Sequence, residues 1–212
     1  MQLLLVFGMR IAPSIIALLT AGLLSACATT SPPKAQLPPQ PASPDPFATM
    51  LHLCDGDHID NAPATDNRRH VINFQPLTRV AGVTLARAPV RRACLSSGFG
   101  LRHDRSGHHN GIDLSTGHPH QVYAAGDGVI EQMRVAGGYG NMILIRHNHR
   151  VQTRYGHLSS YASGMHVGHE VRRGEVIGRT GKTGNAESII LHYEIIVDGA
   201  PRDPMSVGVS RF

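Results

Sequence analysis

Tryptophan is absent from this chain, and aromatic residues make up only 5% of it. No basic run is interleaved with aromatics. A cationic strip with stacking platforms for bases therefore has nothing to be built from, and nucleic acid is not an expected partner. Apolar periodicity at 3.6 residues over helix length is missing after residue 50, which excludes a helical bundle. There is no internal repeat and no heptad pattern. Cysteine is limited to three residues. The 212 residues give room for one domain plus appendages.

The longest apolar stretch lies at the N-terminus. Met1 to Arg10 carry a single positive charge, and Ile11 to Ala26 are mostly apolar. That stretch is short for a comfortable membrane span and fits a secretory leader, residues 1–26; the alternative is a short membrane anchor. Leu24-Ser25-Ala26-Cys27 resembles a bacterial lipobox, in which Cys27 becomes the lipidated N-terminus. Ala28 follows it where an aspartate would favour inner-membrane retention, so the resemblance leans toward the outer membrane. The expectation is an exported protein, lipid-anchored to the cell envelope on its periplasmic face.

Residues 27–46 read as the lipidated cysteine and a linker. Seven of the 14 prolines fall between Pro32 and Pro46. Such a segment cannot bury a core and favours extended geometry, reaching on the order of 60 Å from a membrane at about 3.1 Å per residue. In an oxidising compartment the two other cysteines, Cys54 and Cys94, are candidates for a disulfide; two buried free thiols are the alternative. Without Arg10 the formal charge falls from +5 to +4, because residues 1–26 hold no other charged side chain. A mildly basic exported domain suits anionic wall polymers or membrane surfaces.

From about Arg91 onward, short apolar runs are punctuated by glycine. "QVYAA", "GVIEQMRV", "NMILIRH", "VQTRYGHL" and "SIILHYEIIV" read as strands, and "EVRRGEVIGRTG" as strand, turn and strand. The fold class is all-β, with a main domain over residues 91–212. Residues 47–90 are an N-terminal segment supplying one or two strands from "NFQPLTRVAGVTLARAPV".

Three short stretches carry chemistry. On the last strand, Ile189, Leu191, Tyr193, Ile195 and Val197 form a core face, while Ile190, His192, Glu194 and Ile196 point the other way. In "GHHNGIDLS", His109 and Asp113 stand about 13 Å apart on a straight strand at roughly 3.3 Å per residue. A bend at Asn110-Gly111, a strong turn pair, folds the imidazole and carboxylate onto one point. Histidine and aspartate are ordinary zinc ligands, although an exposed turn also explains the pair. In "TRYGHLSS", His157 lies at a strand end, two residues after Tyr155 and by parity on the same face. The chain has 14 histidines; His103, His108, His118, His120, His147, His149, His166 and His169 read as surface residues.

Together, "SSGFGLR", "HHNGIDLS", "VYAAGDGVI", "GYGNMILIRH", "RYGHLS", "VRRGEVIGRTGKTG" and "LHYEI" resemble the lysostaphin/LytM-type zinc metallopeptidases that cleave peptide crosslinks in bacterial cell walls. The resemblance runs from about Ser96 to Met205. It implies an open antiparallel β-sheet domain of barrel-sandwich-hybrid type with a narrow groove. It implies Zn2+ held by His109, Asp113 and His192, with a fourth position left for water. His157 matches a family active-site histidine that does not bind the metal, placed to hydrogen-bond the water or the oxyanion. Glu194 reads as a partner behind the ligands rather than as a base.

One position departs from the family. The usual ending is His-x-His, and here the first of those histidines is Ile190, which can neither take a proton nor donate a hydrogen bond. Loss of a general acid–base typically costs about 10²–10⁴ in rate. Three functions follow. One is a zinc endopeptidase acting on peptidoglycan, with His157, helped by Glu187 or a nearby histidine, covering for position 190. Another is a non-catalytic LytM-like module that binds the wall or activates a separate cell-wall amidase. The third is a zinc-stabilised structural domain with no role at the wall.

Overall fold

The computed structural model describes residues 46–56, 59–102 and 107–208. The segment expected to be a leader, Cys27 and the expected linker up to residue 45 lie outside the described residues, as does His103. Among the described residues there are sixteen strands and one 3₁₀ turn, Gly137–Tyr139, and no helix is long and apolar enough to cross a membrane.

The strands in chain order are β1 His52–Leu53, β2 Leu77–Val80, β3 Val83–Ala86, β4 Cys94–Ser97, β5 Gly100–Leu101, β6 His108–His109, β7 Ile112–Ser115 and β8 Gln121–Tyr123. They continue as β9 Gly128–Val135, β10 Asn141–Arg146, β11 Val151–Leu158, β12 Ser160–Tyr161, β13 Glu170–Val171, β14 Val176–Arg179, β15 Ile190–Val197 and β16 Ala200–Arg202. One large sheet runs β1-β4-β7-β15-β11-β10-β9-β13, with β16 also on β15. A three-stranded sheet β12-β14-β8 and the hairpins β2-β3 and β5-β6 complete an open all-β fold. Neighbours in the large sheet are antiparallel except β1 and β4, which are parallel.

That exception belongs to the N-terminal segment. β1 adds to the sheet edge, and Cys54 and Cys94 are disulfide-bonded beside it with Cα atoms 4.8 Å apart. Phe47, Leu51, Leu53 and Leu85 join the same buried cluster as Ile112, Leu114 and Tyr193. Tyr193 donates its hydroxyl to the Ala86 carbonyl at 2.8 Å. Residues 47–90 thus share one core with the rest. Their Asp60 lines one end of the groove, held there as its carbonyl accepts from the Gly98 amide at 2.9 Å.

β15 is the central strand of the site. Its core face follows the alternation read from sequence, with Leu191, Tyr193 and Ile195 all fully buried. The opposite face is not solvated. Glu194 is 0% exposed and His192 6%. Tyr139 and Arg154 cover Glu194, and Met142 and Leu144 pack with Ile196, so the polar groups of this face need partners.

β11 carries a bulge that parity cannot anticipate. Asn141 pairs with Leu158 and Ile143 with Tyr155, so Gly156 and His157 together face only Met142. His157 takes a positive φ of 60°, the left-handed region that non-glycine side chains seldom occupy. The bulge re-aims its ring. Tyr155 goes to the core, where its hydroxyl meets the Ala125 amide at 2.8 Å. His157 goes to the groove, so the shared face expected for these two residues is corrected.

Candidate metal centre and groove

β6 and β7 bring His109 and Asp113 together through a bend at Gly111. Gly111 lies directly on β15, and a Cβ there would collide with the Tyr193 carbonyl and stand 2.9 Å from Glu194 Cγ. Any larger residue would lift the bend off the strand. Asp113 pairs with His192 across the β7–β15 ladder, which fixes the third member by register.

The three side chains converge on one point. His192 Nδ1 lies 2.8 Å from Asp113 Oδ1 and 3.1 Å from His109 Nε2, and His109 Nε2 lies 3.2 Å from Asp113 Oδ1. Ligands about 2.0–2.2 Å from a tetrahedral zinc stand roughly 3.3–3.5 Å from one another, so the cluster is close to that size. All three residues are buried, and they are the metal-capable group found among the described residues.

The far side of each ligand is already committed. His109 Nδ1 donates to the Gly98 carbonyl at 2.6 Å, with Ser97 Oγ at 3.3 Å. His192 Nε2 donates to Glu194 Oε1 at 3.1 Å. Arg102 donates to the outer Asp113 oxygen, Oδ2, at 3.1 Å. With these tautomers, two imidazole lone pairs and a carboxylate oxygen point at one another. Such an arrangement needs a cation at its centre, a proton or a metal, and its donor set fits zinc. The electrostatics agree. Burial opposes charging His192, yet the hydrogen bonds and charges of Asp113 and Glu194 raise its pKa to about 9. Burial likewise opposes ionising Asp113, and its bonds to His109 and His192 override that and hold it well below the usual carboxylate range.

These residues form the floor of a groove of about 680 Å³. His157 stands beside the cluster, its ring centroid 5.8 Å from that of His192. Its Nδ1 donates to the Thr183 carbonyl at 2.8 Å, which leaves Nε2 as the nitrogen with a lone pair. Burial is the largest cause that lowers its pKa below the ordinary histidine value, helped by the His192 and His109 charges. Neutral His157 is therefore suited to accept a proton.

Ile190 lines the same groove, 7% exposed, where it offers only alkyl surface. Glu187 also lines it and is exposed. His108, read as a surface residue, is exposed, lines the groove and makes an edge contact with Phe99. His147 is structural, bonded to the Asp127 carbonyl at 2.7 Å and to Thr153 Oγ1 at 2.8 Å. Arg102, Tyr139 and Arg154 escaped the sequence reading altogether. Only the β11–β15 register, which sets Arg154 opposite Glu194, would have revealed that pair.

Residues 107–204 match Peptidase family M23. The chain is 41% identical over 119 residues to the DD-carboxypeptidase/endopeptidase Mpg of Neisseria meningitidis serogroup B, an alignment covering 54% of this chain and 27% of that protein. It is 39% identical over 101 residues to the peptidoglycan DD-endopeptidase ShyA of Vibrio cholerae, covering 48% of this chain and 23% of that one. The chain thus spans about a quarter of the length of these relatives. Among solved structures, a zinc-containing peptidase from Vibrio cholerae superposes with a TM-score of 0.55 at 30% identity, over 65% of this chain and 41% of that one.

Proposed function

Given that residues 107–204 carry an M23 peptidase domain, we propose that the protein is a zinc-dependent endopeptidase that hydrolyses peptide bonds in bacterial peptidoglycan. The observation that carries this reading is the convergence of His109 Nε2, Asp113 Oδ1 and His192 Nδ1 on an open groove floor, each backed by its own partner on the far side. The relatives' names, DD-endopeptidase among them, support the substrate class.

When bound, zinc supplies a Lewis acid that polarises the scissile carbonyl and acidifies the attacking water. The remaining work falls to side chains. An extended peptide would lie along the groove, whose lining includes Arg102, His108, Gly138 and Tyr139. His157 Nε2 takes the proton of the attacking water, because Nδ1 is held on Thr183. The same nitrogen then returns the proton to the leaving amine. Ile190 adds no proton-transfer group. Digestion of purified peptidoglycan tests the reading: peptide release should stop on chelation and return when zinc is restored. Release that survives complete chelation would sink it.

Ile190 also favours a second reading, a LytM-like module that binds the wall or activates an amidase. A protein that binds zinc, never cuts peptidoglycan and stimulates a purified amidase would establish that alternative. For either activity we place the protein in the periplasm, anchored through lipidated Cys27, on the outer membrane given Ala28. The Cys54–Cys94 disulfide supports an oxidising compartment. Absence of palmitate label on the purified protein would sink the anchor.

A further inference from the structure

At the edge of the groove a single loop, which lines it through Gly138 and Tyr139, touches the supports of both histidines that the proposed chemistry needs. The 3₁₀ turn Gly137–Tyr139 and the following Gly140 and Asn141 form this loop. On one side it reaches His192. Tyr139 donates its hydroxyl to Glu194 Oε1 at 2.7 Å, the oxygen that also accepts from His192 Nε2 at 3.1 Å. Arg154 donates to Glu194 Oε2 at 2.6 Å and to the Tyr139 hydroxyl at 2.9 Å. Its guanidinium carbon lies 4.9 Å from the Tyr139 ring centroid. The Tyr139 ring in turn lies 5.4 Å from that of His192. Glu194 is thus gripped through both oxygens, and its position sets the rotation of the His192 ring.

On the other side the loop reaches His157. Gly140 and Gly184 approach so closely that a Cβ on either would collide with the other's segment. Both have positive φ, 62° and 66°, so glycine serves the contact and the conformation together. The Asn185 amide donates to the Gly138 carbonyl at 2.9 Å, and the Asn141 amide to Thr183 Oγ1 at 3.0 Å. Thr183 Oγ1 donates onward to the Leu158 carbonyl at 3.0 Å. These contacts place the Thr183 carbonyl, which holds His157 Nδ1 and keeps that residue in its strained bulge.

We propose that the Gly137–Asn141 loop is a shared strut of the site: Tyr139, with Arg154, is a positioning residue for the zinc ligand His192 through Glu194, and Thr183 is the positioning residue for His157. The proposal rests on the zinc-peptidase reading. Neither Tyr139 nor Arg154 touches the ligand atoms, and neither takes part in proton transfer. Their effect passes through Glu194.

The two arms separate by readout. In Tyr139→Phe and Arg154→Gln, zinc affinity measured by competition with a chromophoric chelator should fall about 10–100-fold, the range typical for partners behind a metal-binding histidine. Arg154→Lys should recover only part of the loss, because both hydrogen bonds leave the one guanidinium nitrogen Nη1, and a lysine ammonium does not reproduce its reach together with the stacking of the planar group on the Tyr139 ring. In Thr183→Ala, zinc affinity should stay at the wild-type value while kcat falls with little change in KM. The His157 ring, followed by ¹⁵N NMR, should lose its preference for the Nδ1-protonated tautomer. Circular dichroism restricts the comparison to folded variants. If Tyr139→Phe does not fold, Arg154→Gln carries the first arm alone. Wild-type zinc affinity in folded Tyr139→Phe and Arg154→Gln would overturn the proposal and leave the peptidase reading standing. Thr183→Ala with unchanged kcat and tautomer would overturn its second arm. A wild-type chain that binds no zinc would overturn the reading and the strut with it.

Discussion

The two faces of β15 are buried to nearly the same degree by different means. On one, Leu191, Tyr193 and Ile195 pack into the main core. On the other, His192 and Glu194 are 6% and 0% exposed, and every polar contact they make is with a named partner. Packing tolerates some loss of shape. A buried ionised network does not, because removing one member strands the charge of another. One strand therefore serves stability with its odd positions and carries chemistry at the even positions His192 and Glu194, while Ile196 on that second face packs with Met142 and Leu144. The division should be visible as a double dissociation.

The largest effect is expected on the groove face. His192→Ala should abolish stoichiometric zinc, a loss beyond the roughly 10–100-fold typical of outer partners, and peptidoglycan hydrolysis with it. Metal analysis of the purified variant checks this; equal zinc in variant and wild type would remove His192 from the ligand set.

Ile190→His comes next. Residues 190 and 192 share the face, with Cα atoms about 6.6 Å apart at roughly 3.3 Å per residue. An imidazole there would face the groove that Ile190 now lines and should raise hydrolysis by up to about 10²–10⁴. A gain that disappears again in combination with His109→Ala shows a centre lacking only this partner. Absence of gain from an already active wild type means that another groove residue fills the role, with Glu187 the first to replace. Two zinc-loaded, inactive proteins would shift the balance to the amidase-activating module.

The core face supplies the counterpart. Leu191 is fully buried, and Leu191→Ala should lower stability by about 2–5 kcal/mol. Zinc bound per folded molecule should be unchanged. Denaturant melts with parallel metal titration test the pair of expectations. A variant as stable as wild type but deficient in zinc would break the division between the faces.

Much of this division is legible in sequence, and its limits are physical. Alternation in "SIILHYEIIV" identifies both faces of β15, and Asn110-Gly111 identifies the bend that joins His109 to Asp113. Alternation fails at His157 because one inserted residue reverses parity, and a bulge leaves no mark in a short apolar run. It fails for Arg154 and Tyr139 because their roles depend on which strand lies beside β15, a long-range fact. The full burial of Glu194 is not legible for the same reason: its cover comes from Tyr139 and Arg154, distant in sequence and close in the fold.

The smallest effect is a shift along the pH axis, and it concerns His157 alone. A general base works deprotonated, so its activity is lost as pH falls through its pKa. Burial is the main cause that holds the His157 pKa below the ordinary value of about 6.5. Bound zinc adds positive charge nearby and acts in the same direction. The acidic limb of kcat/KM should therefore lie below the ordinary histidine value of about 6.5. Zinc occupancy must be held constant across the profile, because metal binding is itself pH-dependent. With occupancy fixed, His157→Gln should remove the limb along with most of the rate. Activity that instead falls as pH rises through the histidine range in the zinc-loaded protein would mean that His157 works in its charged form, donating to the oxyanion instead of accepting from water.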